Sequence, residues 1–145
     1  APDAYVIGQA TITGPAVLEA SAVIRADRER VSIGAFFHMG RGSSIHIDGD
    51  QPTVIGSGVW LGARTVAHGC TLGDGVRVED GGLVLSGSRV GAGSIAAAGA
   101  LVTEGATFPN DSYIEGSPGR RIRATTDDER AETARRVSGS PPVAR

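Results

Sequence analysis

The stretch VIGSGVWLGARTVAHGCTLGDGVRVEDGGLVLSGSRVGAGSIAAAGALV, residues 54–102, decides the fold of this chain. Within it aliphatic residues occur in groups of three, and the members of a group are six residues apart. A glycine often follows such a residue. The pattern extends to both sides of the stretch, and the marker residues are Ile12, Leu18, Ile24, Ile33, Met39, Ile45, Ile55, Leu61, Ala67, Leu72, Val78, Val84, Val90, Ala96, Val102 and Phe108. A repeat of this length indicates a solenoid, in which each unit packs only against its neighbours.

Each six-residue unit supplies a short strand and a corner, and three units make one triangular coil. Stacking the coils buries the marker residues in the interior. A helical interpretation fails because six residues match neither the 3.6-residue turn nor the heptad, and because glycine recurs at the corners. Loops are expected at residues 25–32 and 46–54, where the repeat is interrupted. The sequence therefore predicts an all-β solenoid, a parallel β-helix of about five coils.

The repeat stops after Phe108, and a short C-terminal α-helix follows. Residues 126–129, Thr-Asp-Asp-Glu, are typical of a capping box, with acidic residues in the first turn of a helix that ends near Val137. We expect this helix to cover an open face or edge of the solenoid, and the tail 138–145 to fray. The predicted organisation is a β-helix domain at 1–121 and a C-terminal helix and tail at 122–145, without a second domain.

The composition excludes several classes of partner. The formal net charge is −2, with no basic block before the last third of the chain, which makes nucleic acid a poor candidate. The most apolar stretch, residues 95–102, is short and interrupted by Gly99, so we expect no membrane span. No charged and then apolar leader opens the sequence, and the single Cys70 cannot form an intrachain disulfide. The expected compartment is therefore the cytoplasm.

Two histidines share one column of the predicted solenoid. His46 and His68 each follow the third marker of successive coils, so their backbones should lie about 5 Å apart on one face. Arg25 occupies the same column one coil earlier, with Asp27 close by. Two imidazoles at this spacing can chelate one zinc ion, which in catalytic sites typically has a third protein ligand. The alternative is a pair of surface histidines on a solvated face, and the register alone leaves both open.

Other candidates are weaker. Cys70 is more simply a small buried residue than a nucleophile. Glu19 and Glu79 each follow a second marker of a coil and could face solvent or a neighbouring subunit. Three aromatic residues could line an apolar pocket or pack an interface: Phe36, Phe37 and Trp60.

Several segments together resemble the γ-class carbonic anhydrases. They are VIRAD at 23–27, the segments 33–46 and 61–70, which end in Ile-His and His-Gly-Cys, and the closing segments 108–112 and 115–118. The resemblance covers residues 5–123. It implies a left-handed β-helix and a homotrimer in which three histidines hold one zinc or iron(II) ion between subunits, two from one chain and one from its neighbour.

The resemblance assigns roles to particular residues. His46 and His68 match the two metal ligands that share a chain. Arg25 and Asp27 match a pair that stabilises the trimer interface beside the active site. The third ligand position is Ala63 here, so that one metal-binding histidine is missing. Zinc or iron is therefore a possible cofactor whose ligand set is incomplete.

A second departure concerns the family's N-I-Q-D segment, whose Asn and Gln hydrogen-bond the metal-bound water and bicarbonate. In this chain it is replaced by residues 38–41, His-Met-Gly-Arg. His38 could restore a third ligand, or it could be a hydrogen-bonding replacement for asparagine. The candidate set is thus His38, Arg25 and Asp27 as catalytic residues, with His46 and His68 as metal ligands.

Three functions remain open at this point. The first is a lyase or hydrolase that acts on a small molecule through a water or base at the intersubunit histidine site, with weak or absent CO₂ hydration. The second is a metal-free hexapeptide enzyme, acyltransferase-like or thioesterase-like, that uses one histidine as a general base. The third is a non-catalytic subunit of a trimeric assembly.

Overall fold

The computed structural model describes residues 1–47 and 49–139, and it is a parallel β-solenoid of about six turns with one C-terminal helix. The strands of the first half are β1 (Tyr5–Ile12), β2 (Ala16–Leu18), β3 (Val23–Ile33), β4 (Phe37–Met39), β5 (Ser44–His46), β6 (Thr53–Ile55), β7 (Trp60–Leu61), β8 (Val66–His68) and β9 (Thr71–Leu72). Those of the second half are β10 (Arg77–Val78), β11 (Leu83–Val84), β12 (Arg89–Val90), β13 (Ile95–Ala96), β14 (Leu101–Val102), β15 (Thr107–Phe108), β16 (Ser112–Glu115) and β17 (Arg120–Ala124). The helix α1 is Asp127–Val137.

The strands stack in register into three faces. In the first face the paired column is Ile12, Ile33, Ile55, Leu72, Val90 and Phe108. In the second face it is Leu18, Met39, Leu61, Val78, Ala96 and Ile114. In the third face it is Val6, Ile24, Ile45, Ala67, Val84 and Val102. The six-residue markers are thus the inward column of each face, as predicted.

These marker columns make up most of the core, which also includes Val31, Phe37, Val59 and Val76. The markers from Ile24 to Val102 are at most 2% exposed, whereas Ile12, Leu18 and Phe108, near the two ends of the stack, are only half-buried. Burying one such aliphatic side chain stabilises a fold by about 1.5–3 kcal/mol. The repeat therefore supplies the interior of the solenoid.

The structure has about six coils, one more than the five predicted. Val6 of β1 pairs with Ile24 and begins the third face one rung earlier, and Ile114 of β16 pairs with Ala96 and adds a rung to the second face. Both residues continue the six-residue spacing beyond the predicted series, since Val6 lies six residues before Ile12 and Ile114 lies six residues after Phe108.

The predicted loop at 25–32 is wrong. Strand β3 runs without interruption from Val23 to Ile33, and β1 pairs with both of its ends: residues 5–8 pair with 23–26, and residues 10–12 pair with 31–33. Gly8 lies at a bulge in β1, where a Cβ would come within 2.2 Å of the Ala26 carbonyl oxygen. The second predicted loop holds in a shorter form, since β5 ends at His46 and β6 begins at Thr53.

The corners of the coils use left-handed backbone. The corner between the second and third faces, the 2–3 corner, has positive φ at Ser21, Gly42, Arg64, Gly81 and Gly99. Glycine adopts this conformation without steric cost. Arg64 adopts it with φ of 53° in spite of its Cβ.

The C-terminal helix begins as predicted. Thr126 is the N-cap, and its hydroxyl accepts a hydrogen bond from the Glu129 amide at 3.1 Å, while Glu129 accepts one from the Thr126 amide at 2.9 Å. The helix lies along the side of the solenoid: the Arg136 guanidinium is 5.5 Å from the centre of the Trp60 ring on the second face. Of the predicted tail, residues 140–145 lie outside the described residues.

The last edge of the second face is covered by β17, which pairs antiparallel with β16. Within the described ranges, no helix has both the length and the apolar character needed to cross a bilayer.

Candidate active site

His46 and His68 lie side by side on the third face. They are the last residues of β5 and β8, and the parallel register pairs them directly. Their ring centroids are 5.8 Å apart and the rings are nearly perpendicular, with an interplanar angle of 89°. Both residues are half-buried. The two imidazoles therefore face one common volume of solvent or partner, as the six-residue register predicts.

The electrostatic environment favours the neutral form of His46. Partial burial lowers its pKa below the usual 6.5, and the positive charges of His68 and Arg25 lower it further, while Asp27 opposes them. A neutral imidazole has a lone pair with which it can accept a proton or bind a metal ion. His46 is thus prepared at neutral pH for either role.

Arg25 and Asp27 form an ion pair beside the histidines. Arg25 Nη2 donates to Asp27 Oδ2 at 2.7 Å, and the two side chains are 52% and 43% exposed. Both charges face solvent and border the imidazole pair. In a single chain the two charges neutralise each other. An exposed ion pair of this kind contributes about 0.2–1 kcal/mol to the stability of the fold.

His38 lies on a different face. It belongs to β4 on the second face, where its ring stacks on Trp60 with centroids 3.7 Å apart and an interplanar angle of 7°. Its Nε2 is 3.4 Å from Glu19 Oε1, and its buried Nδ1 has no hydrogen-bond partner in the described part of the chain. Within one chain the structure does not bring His38 together with His46 and His68.

Ala63, at the position of the missing ligand, lies in a corner of the coil. The backbone N–H of Ala63 donates to Asp80 Oδ1 at 2.9 Å. Over residues 1–47 and 49–139, no cluster of three or more His, Cys, Asp or Glu side chains could hold a metal ion. A single chain therefore offers two imidazoles to zinc or iron and does not complete the three-ligand set of a catalytic site.

The remaining candidates have structural roles. Burial raises the pKa of the Cys70 thiol to about 12, so it is not a nucleophile. Glu79 contacts two arginines: its Oε1 is 3.2 Å from Arg77 Nε, at an angle that makes no hydrogen bond, and 3.5 Å from Arg136 Nη1. Glu79 therefore ties α1 to the second face.

One feature was missed from the sequence, a basic depression at the 2–3 corner. Its lining residues are Ala20, Ser21, Arg41, Gly42 and Arg64. The available signal was Arg64 itself, an arginine in a corner position where the coils on either side have Gly42 and Gly81.

Comparison with known proteins agrees with this geometry. No family model matches the chain. The "Probable carbonic anhydrase" of Methanocaldococcus jannaschii is 42% identical over 129 residues, which cover 89% of this chain and 81% of the relative. The mitochondrial "Gamma carbonic anhydrase 1" of Arabidopsis thaliana is 34% identical over 135 residues, which cover 89% of this chain and 49% of the relative.

A solved structure with the same fold is the hexapeptide transferase family protein from Anaplasma phagocytophilum. It superposes with a TM-score of 0.85 at 26% identity, over 94% of this chain and 84% of the other. The sequence identity to the archaeal relative extends over most of both proteins, and the solenoid is shared with the solved structure. The chain therefore belongs to the γ-carbonic-anhydrase-like family of hexapeptide-repeat proteins.

Proposed function

We propose that this chain is a divergent γ-carbonic-anhydrase-like enzyme, a lyase or hydrolase that acts on a small molecule through the His46–His68 pair. The chemistry is the activation of a water or the removal of a proton, and CO₂ hydration is weak or absent. The observation that carries this proposal is the register pairing of a neutral, half-buried imidazole with a second imidazole 5.8 Å away.

In this proposal His46, His68 and Asp27 have different roles. His46 accepts the proton, because its lowered pKa keeps its lone pair free at neutral pH. His68, edge-on to it, can hold a hydrogen bond to the same water or substrate. Asp27 opposes the lowering of the His46 pKa, and so it offsets part of the charge that develops when His46 is protonated. Zinc or iron(II), when bound by the pair, would supply Lewis-acid activation of a water.

The weakness of CO₂ hydration follows from the substitutions around the pair. Ala63 stands where the family has its third ligand, and His38 and Gly40 stand where it has the Asn and Gln that hydrogen-bond bicarbonate. Loss of partners around a metal site typically costs 10–100-fold in metal affinity or activity. In this chain His38 is instead held between Trp60 and Glu19.

The working assembly in this proposal is a homotrimer with the histidine pair at the interface. The outward column of the third face is largely apolar, and its members are Tyr5, Val23, Ser44, Val66, Leu83 and Leu101. The corresponding column of the first face is mostly polar, and α1 lies along the second face. An apolar face that residues 1–47 and 49–139 leave uncovered favours an interface between copies, and such an interface would bury the pair further.

The test combines elemental analysis with two assays on the purified protein. We expect CO₂ hydration near the uncatalysed rate, and hydrolysis of 4-nitrophenyl acetate that is lost in His46→Ala and His68→Ala. The control is Arg89→Gln, an exposed residue of the first face, which should leave hydrolysis unchanged. Stoichiometric metal together with fast CO₂ hydration would contradict the proposal, and so would ester hydrolysis that both histidine variants retain.

A second candidate is metal-free acyl transfer, with one histidine as the general base. It is favoured by the transferase-family name of the solved structure that covers 94% of this chain. Binding of acetyl-CoA distinguishes it: saturable binding supports acyl transfer over the first proposal. A protein with neither bound metal, nor esterase activity, nor acetyl-CoA binding would be the non-catalytic assembly subunit.

A further inference from the structure

We propose that the groove between α1 and the corner that joins the first and second faces, the 1–2 groove, is a binding site for a linear aliphatic amine. The alkyl chain lies in the groove, and the ammonium group lies beside Asp74 and Asp111. The groove has a volume of about 490 Å³, and ligand pockets have about 300–1,000 Å³. None of its lining residues belongs to the third face, so this site goes beyond the proposed function and does not depend on the histidines.

The floor of the groove is a row of glycines. Gly58, Gly75 and Gly93 occupy the same corner position on successive coils, with φ between 67° and 71°. Because these residues have no side chains, the groove runs over bare backbone for about 10 Å, which is two coil spacings. Ala134 and Val137 of α1 form its side wall. The surface that a ligand would contact along the glycine row is therefore mainly apolar.

The helix approaches this row at both ends and leaves a gap between them. A Cβ on Gly58 would lie 3.9 Å from Val137 Cγ2, and a Cβ on Gly93 would lie 2.9 Å from Arg130 Cδ. In the described part of the chain, no atom of α1 comes within 4 Å of the equivalent position on Gly75. Arg130 and Val137 are seven residues apart, about 10 Å along the helix. The middle of the groove is therefore open to a ligand over that length.

The two ends of the glycine row differ in chemistry. The same corner position is Phe36 on the coil before Gly58 and Asp111 on the coil after Gly93, and both residues have left-handed backbone, with φ of 54° and 59°. Aspartate tolerates this conformation, whereas a bulky side chain seldom adopts it. Phe36 is 48% exposed, so burial in the core does not explain its position. Strain of this kind concentrates at ligand sites, and here it places an aromatic ring at the apolar end of the groove.

The charges at the opposite end favour a cationic head group. Arg130 is the one cation among the lining residues, and its guanidinium is already shared by Asp111, at 3.6 Å, and Asp127. Asp74 also lines the groove, and its Oδ1 accepts the Ser57 amide at 2.8 Å. No cation pairs with Asp74 within residues 1–47 and 49–139. Three carboxylates and one guanidinium leave an excess of negative charge, which attracts a cation from solution.

An alkyl chain that ends in an ammonium group matches both features of the groove. Contact of the chain with Phe36, Ala134 and Val137 removes apolar surface from water, which is the main favourable contribution to such binding. The ammonium group has three N–H donors for the carboxylates of Asp74 and Asp111. A carboxylate head group would be repelled by the same two residues. Probes that share one chain and differ in the head group therefore test the assignment.

The experiment is a titration of the full chain with octylamine, octanol and octanoate by isothermal calorimetry at low ionic strength. We expect saturable binding of octylamine, binding of octanol that is about two- to fivefold weaker, and weaker binding still of octanoate. Added salt should reduce the difference between octylamine and octanol.

Three variants locate the site. Ala134→Leu fills the groove and should weaken octylamine binding about tenfold or more. Its control, Ala131→Leu, makes the same change at an exposed position of α1 outside the groove and should bind like the parent protein. Leucine is a good helix former, so both variants should keep their fold, which circular dichroism checks. Asp74→Asn keeps an acceptor for the Ser57 amide and removes the charge, so it should weaken octylamine about two- to fivefold and leave octanol unchanged.

Three results would overturn the proposal. The first is the absence of saturable octylamine binding up to about 10 mM, a range in which even weak sites fill. The second is equal octylamine affinity in Ala134→Leu and Ala131→Leu, since the chain would then bind elsewhere. The third is octanoate binding as tight as that of octylamine, which would contradict a cationic ligand. Because no activity is measured and no histidine is changed, failure here leaves the histidine proposal untouched.

Discussion

At the scale of single residues, the 2–3 corner allows a prediction about stability. The left-handed conformation of Arg64 costs about 1–2 kcal/mol, whereas glycine costs about 0.5–1 kcal/mol through the entropy of the unfolded chain. The first effect is larger, so Arg64→Gly should raise the free energy of unfolding by up to about 1 kcal/mol. Urea denaturation of the two proteins measures this change.

The matched control for that prediction is Gly81→Ala on the next coil. A Cβ on Gly81 has room, with its nearest atom, the Gly99 nitrogen, 4.0 Å away, but its φ of 71° makes alanine unfavourable. This variant should lose about 1–2 kcal/mol. A destabilised Arg64→Gly beside an unchanged Gly81→Ala would show that backbone strain does not govern this corner.

A second prediction at this scale concerns the pKa of His46. Removing a positive neighbour should raise it, so Arg25→Ala and His68→Ala both shift the pKa upward, whereas Asp27→Asn shifts it downward. Burial is the largest cause, and the pKa should therefore stay below 6.5 in the parent protein. Titration of the imidazole resonances by NMR in metal-free protein measures the pKa of His46 in the parent protein and in the three variants, which all keep that residue. An unchanged pKa in both Arg25→Ala and His68→Ala would contradict the electrostatic account of the site.

The lowered pKa of His46 also predicts how the free energy of unfolding depends on pH. Since the folded pKa of His46 lies below the unfolded value of 6.5, the unfolded chain binds the proton first as the pH falls. This residue therefore costs no stability above pH 6.5. Between 6.5 and the folded pKa it lowers the free energy of unfolding progressively, and the loss is constant below the folded pKa. His46→Ala should flatten that part of the pH profile.

The capping box gives a prediction at the scale of elements. Thr126→Ala removes the hydroxyl that accepts from the Glu129 amide, which should destabilise α1 by about 0.5–2 kcal/mol. Thr126→Ser keeps the acceptor and should stay within a few tenths of a kcal/mol of the parent protein. Thermal unfolding followed by helix-sensitive circular dichroism compares them. Equal losses in both variants would mean that the hydrogen bond to the residue-126 hydroxyl does not stabilise the helix.

The features of the elements that could be predicted from the sequence are those that depend on local sequence pattern. The six-residue period identified the inward columns, and the capping box identified the helix start, because both signals are short-range. The pairing of residues 25–26 and 31–32 with β1 could not be recognised from the interruption of the repeat, because it depends on a neighbouring strand. The contacts of His38 with Trp60 and Glu19 also required the assembled coils. The pairing of His46 with His68 was predictable because both follow markers of the same column.

At the scale of the whole molecule, the three faces differ in what covers them. The helix lies along the second face, and the first face has a polar outward column. The third face exposes apolar side chains, among them Leu83, which is 38% exposed. Stable interfaces bury about 800 Å² on each partner, and the third face is the surface on which this chain could bury apolar area of that kind next to His46 and His68.

The last prediction therefore concerns assembly. Light scattering after size exclusion should give a particle of about 44 kDa, three times the 14.7 kDa chain. Leu83→Lys places a charge in the proposed interface and should shift the particle toward monomer, because an unpaired charge is costly to bury. The control, Val54→Lys, changes a comparably exposed residue of the first face, 41% exposed, and should leave the trimer intact. A monomeric parent protein, or dissociation by Val54→Lys with retention of the trimer in Leu83→Lys, would place the histidine pair on a free or differently covered surface, and the intersubunit site would have to be abandoned.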